Sequence, residues 1–299
     1  MAVLHVSCAA EGGYVPHSAA MLNSVLSHRD SYDVHVHYLH GPRFSSLHTA
    51  KLTEMVAGLS GEITFHCIPD AAVRGLPVLA QFTEAMWYRI FLPELLPDVD
   101  RVLYLDADTI VVDGLSSLWE IPLDGAYLAA VTNVFQPNHF GRPAKLGLPG
   151  PNVYFNSGVL LFNLEKMRAD DCTSQMTSFA RQHSPQTIEW PDQDTLNVVL
   201  GRRRVPLHPR WNCMNSVLTF PHAATAFGSV AVRQARRMPG IRHFEGPAEN
   251  KPWHRACPHE LRELYFEHRA QTPWPHVELV GEAREPRWRR RVASRYVSA

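Results

Sequence analysis

Short apolar runs alternating with stretches of helical periodicity constrain the fold of this chain more than any other feature. Val3 to Ala10 is an apolar run closed by Gly12-Gly13, the mark of a buried strand that empties into a loop. From Pro16 onward Ala19, Ala20, Leu22, Val25 and Leu26 recur at helical spacing, with the proline well placed in a first helical turn. Asp33 to Leu39 alternates Val34, Val36 and Tyr38 against His35 and His37, a period-two strand. A helix over 45–59 and a strand near Ile63 to Ile68 follow. Strands that alternate with helices predict a Rossmann-like α/β fold, a mostly parallel sheet with helices on both faces.

The pattern continues. Thr83 to Leu96 reads as a helix stopped by Pro97, and Arg101 to Leu105 as a buried strand ending on Asp106 and Asp108. In open α/β sheets ligands gather beyond the carboxyl ends of strands, so this acidic pair stands where a ligand is expected. The segment from Val131 to Pro151, rich in Pro, Gly, Asn and His, is too long for a simple connector and reads as a functional loop. Asn156 to Asn163 returns as a strand, and Leu164 to His183 as one helix. Trp190-Pro-Asp192-Gln193-Asp194 opens another helix, where acidic residues suit the positive end of the dipole. Arg202 to Arg204 reads as a solvated strand edge. A catalytic domain over 1–257 and a C-terminal helix with basic tail over 258–299 complete the expected organisation.

Composition narrows the function classes. Of 299 residues 45% are hydrophobic and 19% charged, enough to bury a core without a partner. Lys+Arg and Asp+Glu balance at 29 each, which leaves no global field for nucleic acid. The five cysteines are widely spaced without a Cys-x-x-Cys pair, as in reduced structural thiols of a cytoplasmic protein. No signal-type leader and no run of about 20 apolar residues is present. Arg284 to Arg295, with Trp288 and Tyr296, suits peripheral contact with an anionic bilayer at the inner membrane face; a disordered solubilising tail has the same composition.

Chemistry concentrates at Asp106-Ala107-Asp108. Residues two apart in a strand project to one side, so the two carboxylates converge while Ala107 keeps the space between them open. Carboxylates that close repel unless a cation lies between them, and Mg²⁺ or Mn²⁺ commonly shares such oxygens with substrate phosphates. The triplet alone also fits a solvated turn, or the Asp-x-Asp of an aspartyl-phosphate phosphatase of the haloacid dehalogenase type. Here Thr109 follows the second aspartate directly, and about a hundred residues of α/β pattern precede it, both unlike that phosphatase.

Five blocks in order resemble the retaining nucleotide-sugar glycosyltransferases of family 8, which include bacterial lipopolysaccharide galactosyltransferases and glycogenin. They are Tyr88-Arg89, Arg101-Val-Leu-Tyr-Leu-Asp-Ala-Asp108, Tyr154-Phe-Asn-Ser-Gly-Val-Leu-Leu161, Asp192-Gln-Asp194, and His243-Phe-Glu-Gly-Pro with Lys251-Pro-Trp-His254. The resemblance covers Val3 to about Cys257. It implies a GT-A fold, a UDP-sugar donor, bound Mn²⁺ with Mg²⁺ as the alternative, and hexose transfer with retention, galactose or glucose being the sugar. Asp106, Asp108 and His243 are the implied metal ligands. Gly246 would let backbone approach the diphosphate, and Lys251 would neutralise departing UDP. Ala9 to Tyr14 resembles the uridine loop, with Glu11 and Gly13 in place of the usual Asp and Asn, so that Glu11 reads the base edge and Tyr14 stacks on it. Arg89 and Asp192 match donor-sugar contacts, and Gln193 lies beneath the anomeric carbon. Asn156 and Asn133 are candidate sugar or acceptor contacts. Because an amide is a poor nucleophile, Gln193 favours same-face substitution over double displacement. A saccharide, a lipid-linked saccharide and a small molecule all fit as acceptor; a noncatalytic nucleotide-sugar scaffold and a self-glycosylating protein of the glycogenin kind remain alternatives.

Overall fold

The computed structural model describes residues 2–79, 83–184 and 187–282. Seven strands form the main sheet: β1 (Val3–Ala9), β2 (Asp33–His40), β3 (Glu62–Cys67), β4 (Arg101–Leu105), β6 (Leu128–Thr132), β7 (Phe155–Asn163) and β8 (Arg204–Pro206), in spatial order β3-β2-β1-β4-β7-β6-β8. β7 alone runs against its neighbours β4 and β6; the other pairings are parallel. A smaller sheet, ordered β5 (Thr109–Val111), β10 (Ile241–His243), β9 (Cys213–Met214), stands beside the carboxyl end of β4.

The alternating pattern accounts for the first half. The helix Val15–Ser27 carries Pro16 in its first turn and buries Ala19, Met21, Leu22, Val25 and Leu26 against Leu4, Val6 and Val36 of the sheet. Ser45 caps the helix Ser46–Gly58 by accepting from the Leu47 N–H at 3.2 Å. The opposite sheet face is covered by a second apolar cluster that joins Trp87, Tyr88 and Ile90 to Tyr104, Leu160 and Phe162. Two covered faces are what a largely parallel sheet requires.

Three expectations change in detail. The helix expected over Thr83 to Leu96 is a 3-10 segment, Glu84–Phe91, followed by one α-turn, Leu92–Leu95. Pro93 cannot donate to the Arg89 carbonyl, and Trp87 to Pro93 are all buried, so tertiary packing sets a tighter winding. The single helix expected over Leu164 to His183 is two, Leu164–Ala169 and Cys172–Gln182, broken where Asp171 adopts a left-handed φ of 51°. Finally, Asp106 and Asp108 do not extend β4; they lie in the turn between β4 and β5, closed by the Thr109 N–H and hydroxyl donating to the Asp106 carbonyl at 3.1 and 2.7 Å. Their convergence comes from the turn, not from strand alternation.

The helix Arg262–Ala270 packs back on Val15–Ser27, with His17 Nδ1 2.7 Å from the Tyr265 hydroxyl and His268 Nδ1 2.8 Å from Asn23 Oδ1. The tail Arg284 to Arg295, with Tyr296 beyond it, lies outside the described residues. Among the described residues no helix is long and apolar enough to cross a membrane. Arg202 and Arg203 are exposed at the sheet edge, whereas Arg204 bonds the Ala130 and Asn152 carbonyls and the Thr132 hydroxyl. The five cysteines are free thiols, with Cys8, Cys172 and Cys213 buried.

Candidate active site

Three separated segments meet beyond the end of β4. The β4–β5 turn brings Asp106 and Asp108; β10, paired antiparallel with β5, brings His243 opposite Thr109; the loop after β10 brings Lys251. One ligand atom from each of Asp106, Asp108 and His243 lies within 4.8 Å of the others. His243 Nε2 is 3.4 Å from Asp108 Oδ1, while its Nδ1 is held at 2.8 Å by Asn212 Oδ1. An imidazole that donates from Nδ1 to an amide oxygen presents an unprotonated Nε2, the form a metal needs. Two carboxylate oxygens and one such nitrogen fit a hard divalent ion.

Electrostatics reinforce the cluster. Burial alone would push the Asp108 carboxyl up, but Lys251 and His243 hold it well below the usual carboxylate range. Burial lowers and Asp108 raises the Lys251 ammonium, with the pairing dominant; Lys251 also donates to the Phe244 carbonyl at 3.1 Å. Arg89 is buried, 5% exposed. Its Nη2 sits 3.0 Å from Asp106 and 3.5 Å from Asp192, and its Nη1 donates to the Ser157 carbonyl at 2.6 Å. One guanidinium thus ties the acidic turn, β7 and the helix Pro191–Leu200 together. Burial raises Asp192 to about 6, with Arg89 opposing it.

A buried polar network backs this wall. Gln193 Oε1 accepts from Asn156 Nδ2 at 3.2 Å, from the Ser157 N–H at 3.0 Å and from its hydroxyl at 3.3 Å, and Gln193 Nε2 donates to the Tyr154 hydroxyl at 3.2 Å. Asn156 Oδ1 accepts from the Gly158 N–H at 3.0 Å and from Asn212 Nδ2 at 2.8 Å, which links Gln193 to the amide holding His243. The helix bearing Gln193 is docked by Asn197, whose side chain bonds both backbone groups of Phe155. Asp194 is fully buried and accepts from the Trp190 N–H at 3.1 Å, the capping role its position predicted. It also accepts from the Tyr154 hydroxyl at 2.6 Å and pairs with Arg142 from the 131–151 loop, which folds onto the helix.

The rim is looser. Tyr14 is 46% exposed and meets Trp253 edge-on at 5.7 Å. Glu11 Oε1 accepts from the Gly41 N–H and from the Tyr88 hydroxyl at 3.0 Å, so the carboxylate is aimed by a neighbouring loop. Ala9 ends β1 beneath it, and Ala107 is buried between the aspartates. Gly246 takes a φ of 99°, a conformation L side chains rarely adopt, in the turn that carries Lys251. Asn133 lies half-buried, its N–H donating to the Tyr154 carbonyl at 2.9 Å.

Sequence reasoning did not single out Asn212, Gly158 or Arg142. Asn212 sits in an irregular stretch without periodicity, so nothing local marks it. Gly158 did carry a signal, a glycine inside an otherwise apolar strand, which denotes close approach. A Cβ there would collide with the His243 ring and stand 2.9 Å from Asp106 Oδ2.

A parallel sheet whose central strand ends in a carboxylate pair, closed by a histidine from a small side sheet, is the GT-A architecture of glycosyltransferases. Residues 5–257 match the model of glycosyl transferase family 8, and the chain belongs to that family. It is similar to general stress protein A of Bacillus subtilis, 27% identical over 91% of this chain and 95% of that protein. It is also similar to the lipopolysaccharide 1,2-glucosyltransferase of Escherichia coli, 28% identical over 71% of this chain and 62% of the enzyme. Among solved structures, galactosyltransferase LgtC in complex with donor and acceptor sugar analogs superposes with a TM-score of 0.79 at 26% identity, covering 96% of this chain and 99% of that one.

Proposed function

We propose that this chain transfers a hexose from a UDP-sugar to a hydroxyl acceptor with retention of anomeric configuration, galactose or glucose being the sugar. The observation that carries the reading is the convergence of Asp106, Asp108 and His243 with Lys251 at the carboxyl end of β4. Asp106, Asp108 and His243 would hold Mn²⁺, or Mg²⁺ in its stead. When bound, the ion would supply positive charge to the donor diphosphate.

The residues of the chain do the rest. Lys251 stands against Asp108 and turns its ammonium to the departing diphosphate, while the turn at Gly246 brings backbone close to the same oxygens. Glu11 and Tyr14 bind the uracil by its edge and face, and Asp192, held by Arg89, accepts from hydroxyls of the donor sugar. As the bond from the anomeric carbon to the phosphate oxygen breaks, the acceptor oxygen bonds to the same face, and its proton passes to the departing phosphate. The carbonyl oxygen of Gln193 already accepts three hydrogen bonds, which supports a positioning amide rather than an attacking one. The loop over 131–151, pinned by Arg142 to Asp194, borders the acceptor side, where Asn133 and Asn156 are the nearest candidate contacts; a saccharide, free or lipid-linked, or a small molecule would be the acceptor.

The test is UDP release. Purified chain with Mn²⁺ and UDP-galactose or UDP-glucose should hydrolyse donor slowly and accelerate with the correct acceptor. Absence of both turnover and binding for every UDP-sugar, with metal present, would sink the proposal. Intact mass after incubation with UDP-glucose separates transfer to an added acceptor from self-glycosylation, which would leave a ladder of hexose increments.

A further inference from the structure

Apart from the residues of the acidic turn, the edge half of the main sheet gathers four histidines on one face. β1 gives His5, β2 gives His35 and His37, and β3 gives His66, with His5 in register beside His35. One ring nitrogen from each of His5, His35 and His37 lies within 4.8 Å of the other two. His5 Nδ1 and His37 Nε2 are 3.0 Å apart, and the His35 and His37 rings stack at 4.3 Å. The other nitrogens are spoken for: His37 Nδ1 meets His66 Nε2 at 3.2 Å and His35 Nε2 meets the Thr64 hydroxyl at 2.8 Å.

We propose that His5, His35 and His37 form a second metal site, which takes a borderline transition ion of the Zn²⁺ class, with His66 and Thr64 as outer hydrogen-bond partners. In a tetrahedral site with bonds of about 2.1 Å, ligand nitrogens stand about 3.4 Å apart. The pair at 3.0 Å needs to open by about 0.4 Å, and the widest pair to close by about 1.4 Å at most. The outer contacts have the arrangement metal-bound imidazoles require. A His37 tautomer protonated on Nδ1 donates to His66 and leaves Nε2 as a lone pair, and a His35 tautomer protonated on Nε2 donates to Thr64 and leaves Nδ1. His5 Nδ1 becomes a ligand once its proton resides on Nε2, a change of tautomer without loss of charge.

Access is open: the His35 side chain is 26% exposed, and Glu62 Oε2 lies 4.0 Å from its Nδ1, a negative charge at the mouth. Three imidazoles select Zn²⁺, Co²⁺, Ni²⁺ or Cu²⁺ over Mg²⁺, whereas the acidic centre prefers harder ions. One chain thus offers two sites of different hardness, and the histidine site ties β1 to β2.

The test uses untagged full-length chain carrying Asp106→Asn and Asp108→Asn, so that the acidic centre does not compete. Calorimetric titration with Zn²⁺ should give one ion per chain, and Co²⁺ should give the visible absorption of a four-coordinate site. At about a hundredfold excess over the dissociation constant, Zn²⁺ should raise the thermal midpoint by several degrees. His5→Gln and His35→Gln, both at partly exposed positions where folding is retained, should each weaken binding at least about tenfold, and His66→Ala about ten- to a hundredfold. No saturable binding up to about 100 μM Zn²⁺, or unchanged stoichiometry and affinity in the His5→Gln/His35→Gln pair, would overturn the site.

Discussion

The back wall of the active site and its rim are built on different principles. Along the wall, Asp108, His243, Asn212, Asn156, Gln193 and Arg89 are nine-tenths or more buried and joined by hydrogen bonds that run from one side of the cleft to the other. At the rim, Glu11 and Tyr14 project from a short loop, and Tyr14 is nearly half exposed. Under the proposed function the wall would be pre-organised for the reacting diphosphate and sugar, so its groups would need no reorganisation during reaction. The rim would hold a part of the proposed donor where no bonds change, and there adaptability costs little. A buried polar network is high-stakes, because one missing partner leaves others unsatisfied.

That contrast can be broken by substitution. Asp106→Ala or Asp108→Ala should lower turnover by about a thousandfold or more and remove metal-dependent UDP binding in a folded protein, read by UDP release and calorimetry. Retention of binding in both variants would contradict the wall's assignment. Gly158→Ala should cost about a hundredfold in kcat, because the added methyl displaces the His243 ring, while thermal stability changes far less than activity. Asn212→Ala should weaken metal affinity about ten- to a hundredfold by releasing the tautomer of His243, and Asn212→Asp should recover part of the loss. Tyr14→Ala or Glu11→Ala should raise donor KM about tenfold with kcat nearly unchanged, the signature of uniform binding at the rim. If instead kcat falls and KM holds, wall and rim are not distinct.

The smallest effect at neutral pH concerns stability. His17, beneath Tyr14, stacks on Trp253 at 3.5 Å, and burial with Arg269 lowers it to about 3; burial also lowers His268 to about 4. Between those values and the unfolded histidine pKa of about 6.5 the unfolded chain binds more protons, so stability is complete above that range and declines as the pH falls through it. Denaturant midpoints measured from pH 7 to pH 4 should decline, and His17→Gln should flatten the slope.

The strands β1 to β4 and the helix Val15–Ser27 were legible because their apolar periodicity reports burial on two sheet faces directly. The 3-10 winding of Glu84–Phe91 was not, since it depends on what packs around Trp87 and Arg89 rather than on local propensity. Asp106, Asp108, His243 and Lys251 were legible as motif residues, yet their geometry was misread: the aspartates converge through a turn, a tertiary fact set by the pairing of β5 with β10. Arg89 was named by its motif, but its burial and its ties to Asp106, Asp192 and Ser157 are tertiary facts no local pattern carries. Asn212 had no local signature, because its importance lies in contacts with His243, 31 residues away, and with Asn156, 56 residues away.

The pairing of Lys251 with Asp108 spans 143 residues of chain. During synthesis the acidic turn emerges long before the strand and loop that complete it, and such distant closure is a late event in folding. A chain interrupted before Lys251 contains all seven strands of the main sheet yet lacks the lysine, and one interrupted before β10 lacks His243 as well. The cluster at the acidic turn is therefore complete only in a chain that runs through Lys251.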